Sequence, residues 1–293
     1  MRPMRMLPEC AACLEKLIRQ TVELAHPDPA VRRRAEAAAR DQVRREWRPE
    51  AIPALLASRF HLTINDITGN HDPFAPRKAA ETALLARLAR ETAPRFGDDL
   101  ASLCKLAVLG NAVDFFRDEA EVSRQMREPV HFAVDHLDRF RERLAAGPGL
   151  LIFLADNAGE QHFDRYLAAG LRRRGWEVLY VLKGGPIQND LTRADLEASG
   201  LTAHLAPLTD TGARTVGLAL ERCSPAFQDL YRRADLILAK GMGHFETMSH
   251  LGDPRLFFLL QAKCEPVARA LGVPRLAYVL AHAGEIALDN SAD

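Results

Sequence analysis

A change of hydrophobic pattern near residue 146 constrains the fold of this 293-residue chain more than any other feature. Before that point the apolar residues recur at helical spacing, and after it short apolar runs alternate with amphipathic segments. The predicted strands are Leu150–Ala155, Glu177–Leu182, Thr202–Leu205, Leu236–Ala239 and Arg275–Leu280. Strands that alternate with helices are typical of a mostly parallel sheet covered on both faces. The sequence therefore predicts an α/β fold, a Rossmann-like three-layer sandwich.

Helical segments complete this prediction. In the second half of the chain we expect helices at about Gln161–Arg174, Leu191–Ser199, Arg214–Arg233 and Pro254–Leu271. In the first half, where Asp28 and Pro29 supply an N-cap and a first-turn proline, helical spacing predicts Cys10–Ala25, Pro29–Glu46, Glu50–Phe60, Pro76–Ala93, Gly97–Phe116 and Pro129–Leu144. We therefore expect an all-helical N-terminal subdomain at 1–146 and a Rossmann-like domain at 147–293.

The charge balance gives no reason to expect a polyanionic partner. With 39 basic and 39 acidic side chains the formal net charge is zero, which argues against nucleic acid or an anionic membrane as partner. The five cysteines are too few and too scattered for a disulfide scaffold. The apolar runs are too short to span a bilayer, and no signal peptide is recognisable. We expect a cytoplasmic, reduced protein whose oligomeric state the sequence does not indicate.

Polar residues follow four consecutive predicted strands. In open parallel sheets ligands bind at the carboxyl ends of the strands. Here these ends carry carboxylates, amides, lysine and glycines, in the segments Asp156-Asn157-Ala158-Gly159-Glu160, Lys183-Gly184-Gly185-Pro186-Ile187-Gln188-Asn189-Asp190, Thr209-Asp210-Thr211-Gly212 and Lys240-Gly241-Met242-Gly243-His244. We expect these segments to meet in one site.

Charge divides this edge into a cation side and an anion side. Asp156, Asn157 and Asp190 offer the oxygen ligands that Mg²⁺ or Mn²⁺ prefers, and three protein ligands leave room for water and substrate. Groups that would hold an anion are a helix start near Thr211-Gly212, the Lys240 side chain and the backbone N–H groups of Gly241 and Gly243. A cation beside such groups suits phosphoryl chemistry, in which neutralising the transferred group is most of the catalysis.

Each of these features also has an ordinary structural explanation. An Asp-Asn pair after a strand is a turn about as often as it is a ligand, and a lysine in that place is more often solvated than bound to phosphate. Only the joint placement favours a site. Other chemistries lack their motifs, because the sequence contains no Walker A loop, no G-x-G-x-x-G after a strand, no G-x-S-x-G and no H-E-x-x-H.

Five blocks of the sequence together resemble one known family. They are Gly110–Phe115, Asp156–Glu160, Asn189-Asp190 with Thr192 and Asp195, Lys240–Thr247, and Ala262–Cys264. In this order they are similar to the motifs of the damage-control phosphatase family, long called domain of unknown function 89, from Cys10 to about Pro274. The resemblance implies a helical subdomain beside a Rossmann-like domain. It also implies a metal-dependent hydrolase of small phosphate esters, including sugar phosphates and phosphopantetheine-related compounds.

The resemblance also implies roles for individual residues. Asp156, Asn157 and Asp190 would hold one divalent metal, expected to be Mn²⁺, Mg²⁺, Co²⁺ or Ni²⁺, and Asp156 or Asp190 would orient the attacking water. Lys240, counted with the catalytic residues, and Lys263 would bind the substrate phosphate. The other residues expected at the substrate are Asn111, Glu160, Gly241 and His244.

Two features of the chain qualify this picture. The family usually has asparagine where this chain has His244, and because imidazole titrates near neutral pH we expect altered or more pH-dependent binding. The Cys10-Ala11-Ala12-Cys13 pair, with Asp72-Pro73-Phe74 and Lys78, is typical of the branch found largely in archaea and bacteria. A thiol metal or redox role, with Cys264 as third ligand, stays an alternative to plain helix packing.

Two competing functions stay open at this stage. A methyltransferase is compatible with the fold, but Asp156-Asn157 stands where its glycine-rich loop would follow the first strand of the Rossmann-like half. A protein that binds a metal or metabolite with little catalysis is the non-enzymatic alternative, with His244 as the residue that would weaken turnover. The favoured function is a metal-dependent phosphatase of small phosphorylated metabolites.

Overall fold

Helices form the first part of the chain in the computed structural model, which describes residues 4, 6–112 and 119–286. Several begin where the sequence places a capping side chain: Asp28, in front of Pro29, accepts a hydrogen bond from the Ala30 N–H at 2.8 Å. The helices of this part are α1 (Pro8–Ala25), α2 (Pro29–Glu46), α3 (Pro53–Thr68), α4 (Ala75–Thr92), α5 (Leu100–Gly110) and α6 (Glu119–Gln125).

A seven-stranded sheet forms the second part. Its strands are β1 (Phe132–Asp135), β2 (Leu150–Leu154), β3 (Glu177–Leu182), β4 (Leu208–Asp210), β5 (Leu236–Lys240), β6 (Leu256–Gln261) and β7 (Tyr278–His282). They lie in the order β1-β7-β6-β5-β2-β3-β4, with neighbouring pairs parallel apart from the antiparallel β6 and β7. The strands from β2 to β6 therefore end at one edge of the sheet.

Helices cover both faces of this sheet. They are α7 (Leu137–Ala145), α8 (Gln161–Arg173), α9 (Arg193–Ala198), α10 (Thr202–Leu205), α11 (Pro225–Arg233), α12 (Gly241–Met248) and α13 (Glu265–Leu271). One apolar core, with Phe140 of α7 and Phe163 of α8, packs on one face, and another, with Phe227 of α11 and Phe245 of α12, packs on the other. The predicted three-layer, mostly parallel α/β fold with a helical N-terminal region is confirmed.

A third apolar cluster joins α1, α2 and α3 through residues such as Ile18, Ala35 and Phe60. This helical unit contacts the sheet region at α12 and α13, because α3 packs against α12 and α1 against α13. Glu246 of α12 also accepts a hydrogen bond from the Ala54 N–H in the first turn of α3, at 2.9 Å. The helical unit therefore lies on the α12 side of the sheet.

Two strands lie where the sequence predicted helices. The segment Pro129–Leu144 contains β1, which pairs with β7, before α7 begins. The segment Pro254–Leu271 contains β6, whose six residues are all buried, before α13 begins. Because β6 is buried on both faces, its sequence is continuously apolar without a period of two, and periodicity cannot distinguish it from a buried helix. β1 is an edge strand of four residues, which is too short to show a clear period.

Two other predicted elements are also wrong. Thr202–Leu205 is helix α10 and not a strand; β4 follows three residues later. The segment Arg214–Arg233 becomes helical only in a short turn at Leu220–Arg222 and then in α11, so no helix starts near Thr211-Gly212. The stretch between β4 and Leu220 instead forms a loop that lies against the ends of β3 and α12, as described below.

The predicted division of the chain at residue 146 stays a prediction. β1 lies before this position and β7 after it, and their register places Phe132 opposite Tyr278. Within the residues described, no helix combines the length and the apolar character needed to cross a membrane.

Candidate active site

The segments after β2 and β3 are joined directly at the carboxyl edge of the sheet. The backbones of Asn157 and Asp190 form an isolated antiparallel β-bridge. On either side of it, the Ala158 N–H donates to the Asn189 carbonyl at 2.9 Å and the Leu191 N–H donates to the Asp156 carbonyl at 2.8 Å. The backbone therefore brings Asp156, Asn157 and Asp190 together, as expected from their places at strand ends.

Two amides hold the Asp156 carboxylate in place. Asn111, directly after α5, donates from Nδ2 to Asp156 Oδ2 at 3.0 Å and to Glu160 Oε1 at 2.8 Å. Asn157 donates from Nδ2 to the same two oxygens, at 2.8 Å each. The other end of the Asn111 amide accepts from the Gln261 N–H at 3.0 Å. Asn111 is thus fully used in positioning the carboxylates, whereas Asn157 keeps its carbonyl oxygen for a cation.

Lys240 lies at the centre of a buried charge cluster. Its side chain is completely buried and donates to Glu160 Oε2 at 2.8 Å, to Asp164 Oδ1 at 2.6 Å and to the Ala107 carbonyl at 3.1 Å. Burial alone would lower the pKa of Lys240, but the Asp164 and Glu160 carboxylates outweigh it and raise the pKa. All three ammonium hydrogens are therefore taken by protein oxygens.

This geometry assigns Lys240 a different part from the expected one. To bind a phosphate oxygen, Lys240 would have to release one of two buried carboxylates, which is costly in a low-dielectric site. Lys240 instead fixes Glu160, whose other oxygen is held by Asn111 and Asn157. Direct contact between Lys240 and substrate stays a prediction, and so does the expected contact between Glu160 and substrate.

A second buried lysine, Lys183, lies directly after β3. Its Nζ donates to the Gly217 carbonyl at 2.6 Å and lies 3.3 Å from both Asp190 Oδ2 and His244 Nε2. The sequence did not single out Lys183 as a site residue. Asp164, which completes the Lys240 cluster, was missed as well. The signals were present, since Lys183 follows a predicted strand and Asp164 stands four residues after Glu160 on one helix face.

His244 is buried in the first turn of α12. Its Nδ1 lies 2.6 Å from the Lys240 carbonyl oxygen. Burial, and then the nearby Lys183 charge, lower the pKa of His244 well below its ordinary value. The imidazole therefore stays neutral at physiological pH. The expected effect of His244 on binding stays a prediction.

Gly241 allows α12 to start against the Asp156 carboxylate. Its φ is +78°, and a Cβ at this position would overlap Asp156 Oδ2. A loop packs equally closely on the next glycine of the helix, because a Cβ on Gly217 would overlap the Gly243 carbonyl and one on Gly243 would lie 3.0 Å from the Gly217 nitrogen. Glycine is thus required by close approach at the positions predicted to face an anion.

Lys263 lies in the loop after β6, on the same edge. It is half-buried, and its backbone N–H contacts Met242 Sδ at 3.2 Å. Its charge lowers the pKa of both Asp156 and Glu160, although burial is the larger influence on each and raises it. The charge of Lys263 therefore acts on the predicted metal ligand Asp156, and contact between Lys263 and a substrate phosphate stays a prediction.

A buried ion cluster centred on α4 contacts the segment that follows β3. Lys78 of α4 is completely buried and pairs with Asp72 at 2.7 Å and with Asp195 at 2.9 Å. Asp195 and Thr192 form a capping box at the start of α9. Thr192 in turn bridges to Lys183 through the backbone. Lys78 thus links the segment that carries Asp190 to α4 and to the loop between α3 and α4, which contains Asp72.

The residues present fit a divalent cation. Asp156 and Asp190 are both buried, and Asp190 Oδ2 has no hydrogen bond. Burial, and then the Glu160 and Asp190 charges, raise the pKa of Asp156 well above its ordinary value, because the Lys263 and Lys183 charges do not outweigh them. Across the described residues no three His, Cys, Asp or Glu side chains form a metal-ligand group. The candidate set accordingly has two carboxylates and the Asn157 amide.

The cysteines give no support to a thiol metal site. Cys10, Cys13 and Cys264 form no disulfide, and the described residues contain no metal-ligand group that includes them. Burial raises the pKa of Cys10 and raises that of Cys264 to about 12. These shifts favour the protonated thiols that ordinary helix packing requires, and a thiol metal or redox role stays a prediction.

Fold and site together define a three-layer α/β protein with a carboxylate-rich ligand site at the ends of its parallel strands. A family model described as the damage-control phosphatase ARMT1-like domain matches residues 6–279. The chain belongs to this family. The assignment to a branch by its Cys-x-x-Cys pair stays a prediction.

Individual relatives agree with this membership. The damage-control phosphatase PH1575 of Pyrococcus horikoshii is 35% identical over 283 residues, covering 94% of this chain and 97% of that protein. A damage-control phosphatase of Archaeoglobus fulgidus is 28% identical, covering 92% and 96%. The crystal structure of the domain-of-unknown-function-89 protein PH1575 matches with a TM-score of 0.86 at 34% identity, covering 96% of this chain and 99% of that one. The names of these relatives support a phosphatase role.

Proposed function

We propose that this protein is a metal-dependent phosphatase that hydrolyses phosphate monoesters of small metabolites, sugar phosphates among them. The observation that carries the proposal is the pair of buried carboxylates, Asp156 and Asp190, whose charge is not fully compensated at the strand ends. Membership in a family whose relatives are named damage-control phosphatases supports it.

The charge balance of the site suits a cation and a phosphate together. Four carboxyl groups, those of Asp156, Glu160, Asp164 and Asp190, face two buried lysines and the half-buried Lys263. With all four carboxyl groups ionised, the site would carry one negative charge in excess of its three lysines. A divalent cation would reverse this excess, and the resulting positive site would attract a phosphate ester.

The proposed ligands are the carboxylates of Asp156 and Asp190 and the Asn157 carbonyl oxygen. When bound, a divalent metal polarises a phosphoryl oxygen and lowers the pKa of a water molecule. Mn²⁺, Mg²⁺, Co²⁺ and Ni²⁺ are the candidates, since oxygen ligands suit hard or borderline cations.

The chain's own residues supply orientation and anion binding. Asn111 and Asn157 hold Asp156 in one orientation through the hydrogen bonds to Oδ2. Lys263, half-buried on the same edge, is the lysine best placed to meet a substrate phosphate, because Lys240 is already saturated by carboxylates. The first-turn N–H groups of α12, from Gly241 to Gly243, would bind the remaining phosphate oxygens.

A phosphate-release assay tests the proposal. Metal-free protein would be incubated with a panel of sugar phosphates and other small phosphate esters, with each of the four metals in turn. We expect turnover only with metal, and its loss in Asp156→Ala. The matched control is Asp229→Ala, an exposed carboxylate on α11, which should leave activity intact.

Two other outcomes identify the alternatives. If metal binds and raises the melting temperature but no ester is hydrolysed by wild type, the chain is a binding protein. Restoration of turnover by His244→Asn would then assign the loss to that residue. Binding of S-adenosylmethionine without metal-dependent turnover would indicate a methyltransferase, although the segment after β2 contains Asp156-Asn157 in place of a glycine-rich loop.

A further inference from the structure

Lys183 connects three elements that meet at the site. It follows β3, it donates to the carbonyl of Gly217 in the loop after β4, and it lies 3.3 Å from both Asp190 Oδ2 and His244 Nε2. Only 3% of its surface is exposed, so it cannot serve as a free cation for substrate. A buried lysine persists in a fold when its charge and its three hydrogens are matched by partners.

The hydrogen bonds of His244 define its tautomer. A carbonyl oxygen only accepts hydrogen bonds, so the 2.6 Å contact with the Lys240 carbonyl requires a proton on Nδ1. Nε2 then carries a lone pair and accepts from the Lys183 ammonium. The lowered pKa of His244 agrees with this neutral form. His244 therefore sets the direction of the Lys183 side chain from one side, and the Gly217 carbonyl sets it from the other.

This arrangement leaves the hydrogen bonding of the Asp190 carboxylate incomplete. Its Oδ2 is buried without a hydrogen bond, and the ion pair with Lys183 is the contact the structure shows for that oxygen among the described residues. Because a carboxylate oxygen has two lone pairs, Oδ2 can be oriented by the Lys183 charge and still accept a cation as a ligand.

We propose that Lys183 and His244 are a positioning pair that holds Asp190 ready to bind the divalent metal. This inference rests on the proposed function, because it assumes that Asp190 is a metal ligand. It gives His244 a role in orienting Lys183 and not in contacting substrate. The imidazole, in place of the family's asparagine, reaches Lys183 through Nε2 while still donating to the Lys240 carbonyl through Nδ1.

Simple electrostatics makes the opposite prediction, which gives the proposal a clear test. If Lys183 acted only as a nearby positive charge, its removal would relieve repulsion of the incoming cation and strengthen metal binding. If Lys183 positions Asp190, its removal weakens metal binding, by about 10- to 100-fold as for other groups that orient metal ligands.

The first experiment is a calorimetric titration of metal-free protein with Mn²⁺. We expect Lys183→Met to bind Mn²⁺ about 10- to 100-fold more weakly than wild type. Lys16→Met, which removes an exposed lysine on α1, is the matched control and should bind like wild type. Circular dichroism in metal-free buffer establishes that each variant is folded.

The second experiment separates the two ring nitrogens of His244 and does not depend on the folding of Lys183→Met. A glutamine amide reaches the place of Nε2, so His244→Gln keeps an acceptor for Lys183. An asparagine amide reaches only the place of Nδ1, so His244→Asn keeps the bond to the Lys240 carbonyl and loses Lys183. We expect His244→Asn to weaken Mn²⁺ binding several-fold more than His244→Gln.

Equal or tighter Mn²⁺ binding by Lys183→Met overturns the proposal, and so does tighter binding by His244→Asn than by His244→Gln. Failure of wild type to bind any of the four metals has a different meaning: it refutes the proposed function itself. The two failures are therefore distinguishable in the same titration.

Discussion

Lys240 and Lys183 lie on either side of β2, at the ends of the two strands that flank it, and both are buried beside Asp156. They differ in their partners. Lys240 meets two carboxylates within 2.8 Å and a carbonyl. Lys183 meets a carbonyl at 2.6 Å, and an imidazole and one carboxylate at 3.3 Å each. Lys240 is saturated with negative charge, whereas Lys183 pairs with a single carboxylate whose Oδ2 makes no hydrogen bond.

The comparison teaches that burial of a lysine does not by itself reveal its role. Around Lys240 the charges are compensated inside the protein, which makes the cluster a structural support for Glu160. Around Lys183 the carboxylate of Asp190 is oriented but not satisfied, which is expected where a ligand completes the site. The partners of a buried lysine, more than its residue type, distinguish a structural role from a role in ligand binding.

The largest expected effect comes from breaking the Lys240 cluster. Lys240→Met leaves Glu160 and Asp164 buried without their cation, and removal of one partner from a buried ion cluster costs about 3–5 kcal/mol. Urea denaturation of metal-free protein measures the loss. Lys183→Met is expected to lose less, since its one carboxylate partner is more distant. Equal losses of unfolding free energy in Lys240→Met and Lys183→Met would contradict the proposed difference between the two lysines.

The next effect tests the close contact between Gly241, which follows Lys240, and the Asp156 carboxylate. Gly241→Ala places a methyl group into the Asp156 carboxylate at a φ of +78°. Gly252→Ala is the matched control, because its φ is +59° with no atom within 4 Å. We expect the control to cost about 1–2 kcal/mol from its backbone conformation alone, and Gly241→Ala to cost about 1–3 kcal/mol more.

Phosphatase activity separates these two glycine variants further. We expect activity to be lost in Gly241→Ala, because the methyl group displaces a proposed metal ligand, and kept in Gly252→Ala. Wild-type turnover in Gly241→Ala would show that Asp156 tolerates displacement and is not a required ligand.

A smaller effect concerns pH and the charge inside the Lys240 cluster. Burial raises the pKa of Asp164 to about 6 despite Lys240, which lowers it, so the folded state holds this proton more firmly than the unfolded chain. The contribution of Asp164 to stability is thus fully present below about pH 4 and is lost as pH rises through about 6.

Denaturation of metal-free wild type and Asp164→Asn between pH 4 and 7 measures this contribution. We expect the stability of wild type to fall relative to the variant by about 1 kcal/mol per pH unit in this window. The variant keeps an oxygen for Lys240 and a group for the Tyr180 hydroxyl, which donates to Asp164 at 2.8 Å. A gain in the stability of wild type relative to the variant as pH rises would reverse the assigned direction of the pKa shift.

The smallest effect sets the baseline for all buried pairs. Arg173 and Asp98 form an ion pair at 3.0 Å on the surface, with both side chains more than half exposed. Because solvent screens such pairs, Arg173→Ala should change the free energy of unfolding by less than about 0.5 kcal/mol in the same urea assay. A loss approaching that of Lys240→Met would show that burial does not control the strength of these contacts.

The sequence by itself determined the fold class and the residues at the strand ends. Strands such as Glu177–Leu182 alternate with amphipathic helices, and that pattern fixes a parallel sheet whose carboxyl edge collects Asp156, Asn157, Asp190 and Lys240. The family motifs added Lys263, which local pattern had hidden in a predicted helix. The periodicity of strands and helices depends on residues that are close in the sequence, so these features can be predicted without coordinates.

Only the tertiary structure decided which groups pair with one another. β6 escaped prediction because a strand buried on both faces loses its alternation, and such burial is set by distant neighbours. β1 escaped because it is an edge strand of only four residues, too short to show a clear period. Packing between β3, β5, α8 and α12 determines the partners of the buried groups. It brings Glu160 and Asp164 to Lys240, and it places Lys183 beside the neutral His244. Sequence supplied the charged groups, and three-dimensional proximity determined which charges were compensated and which stayed available for a ligand.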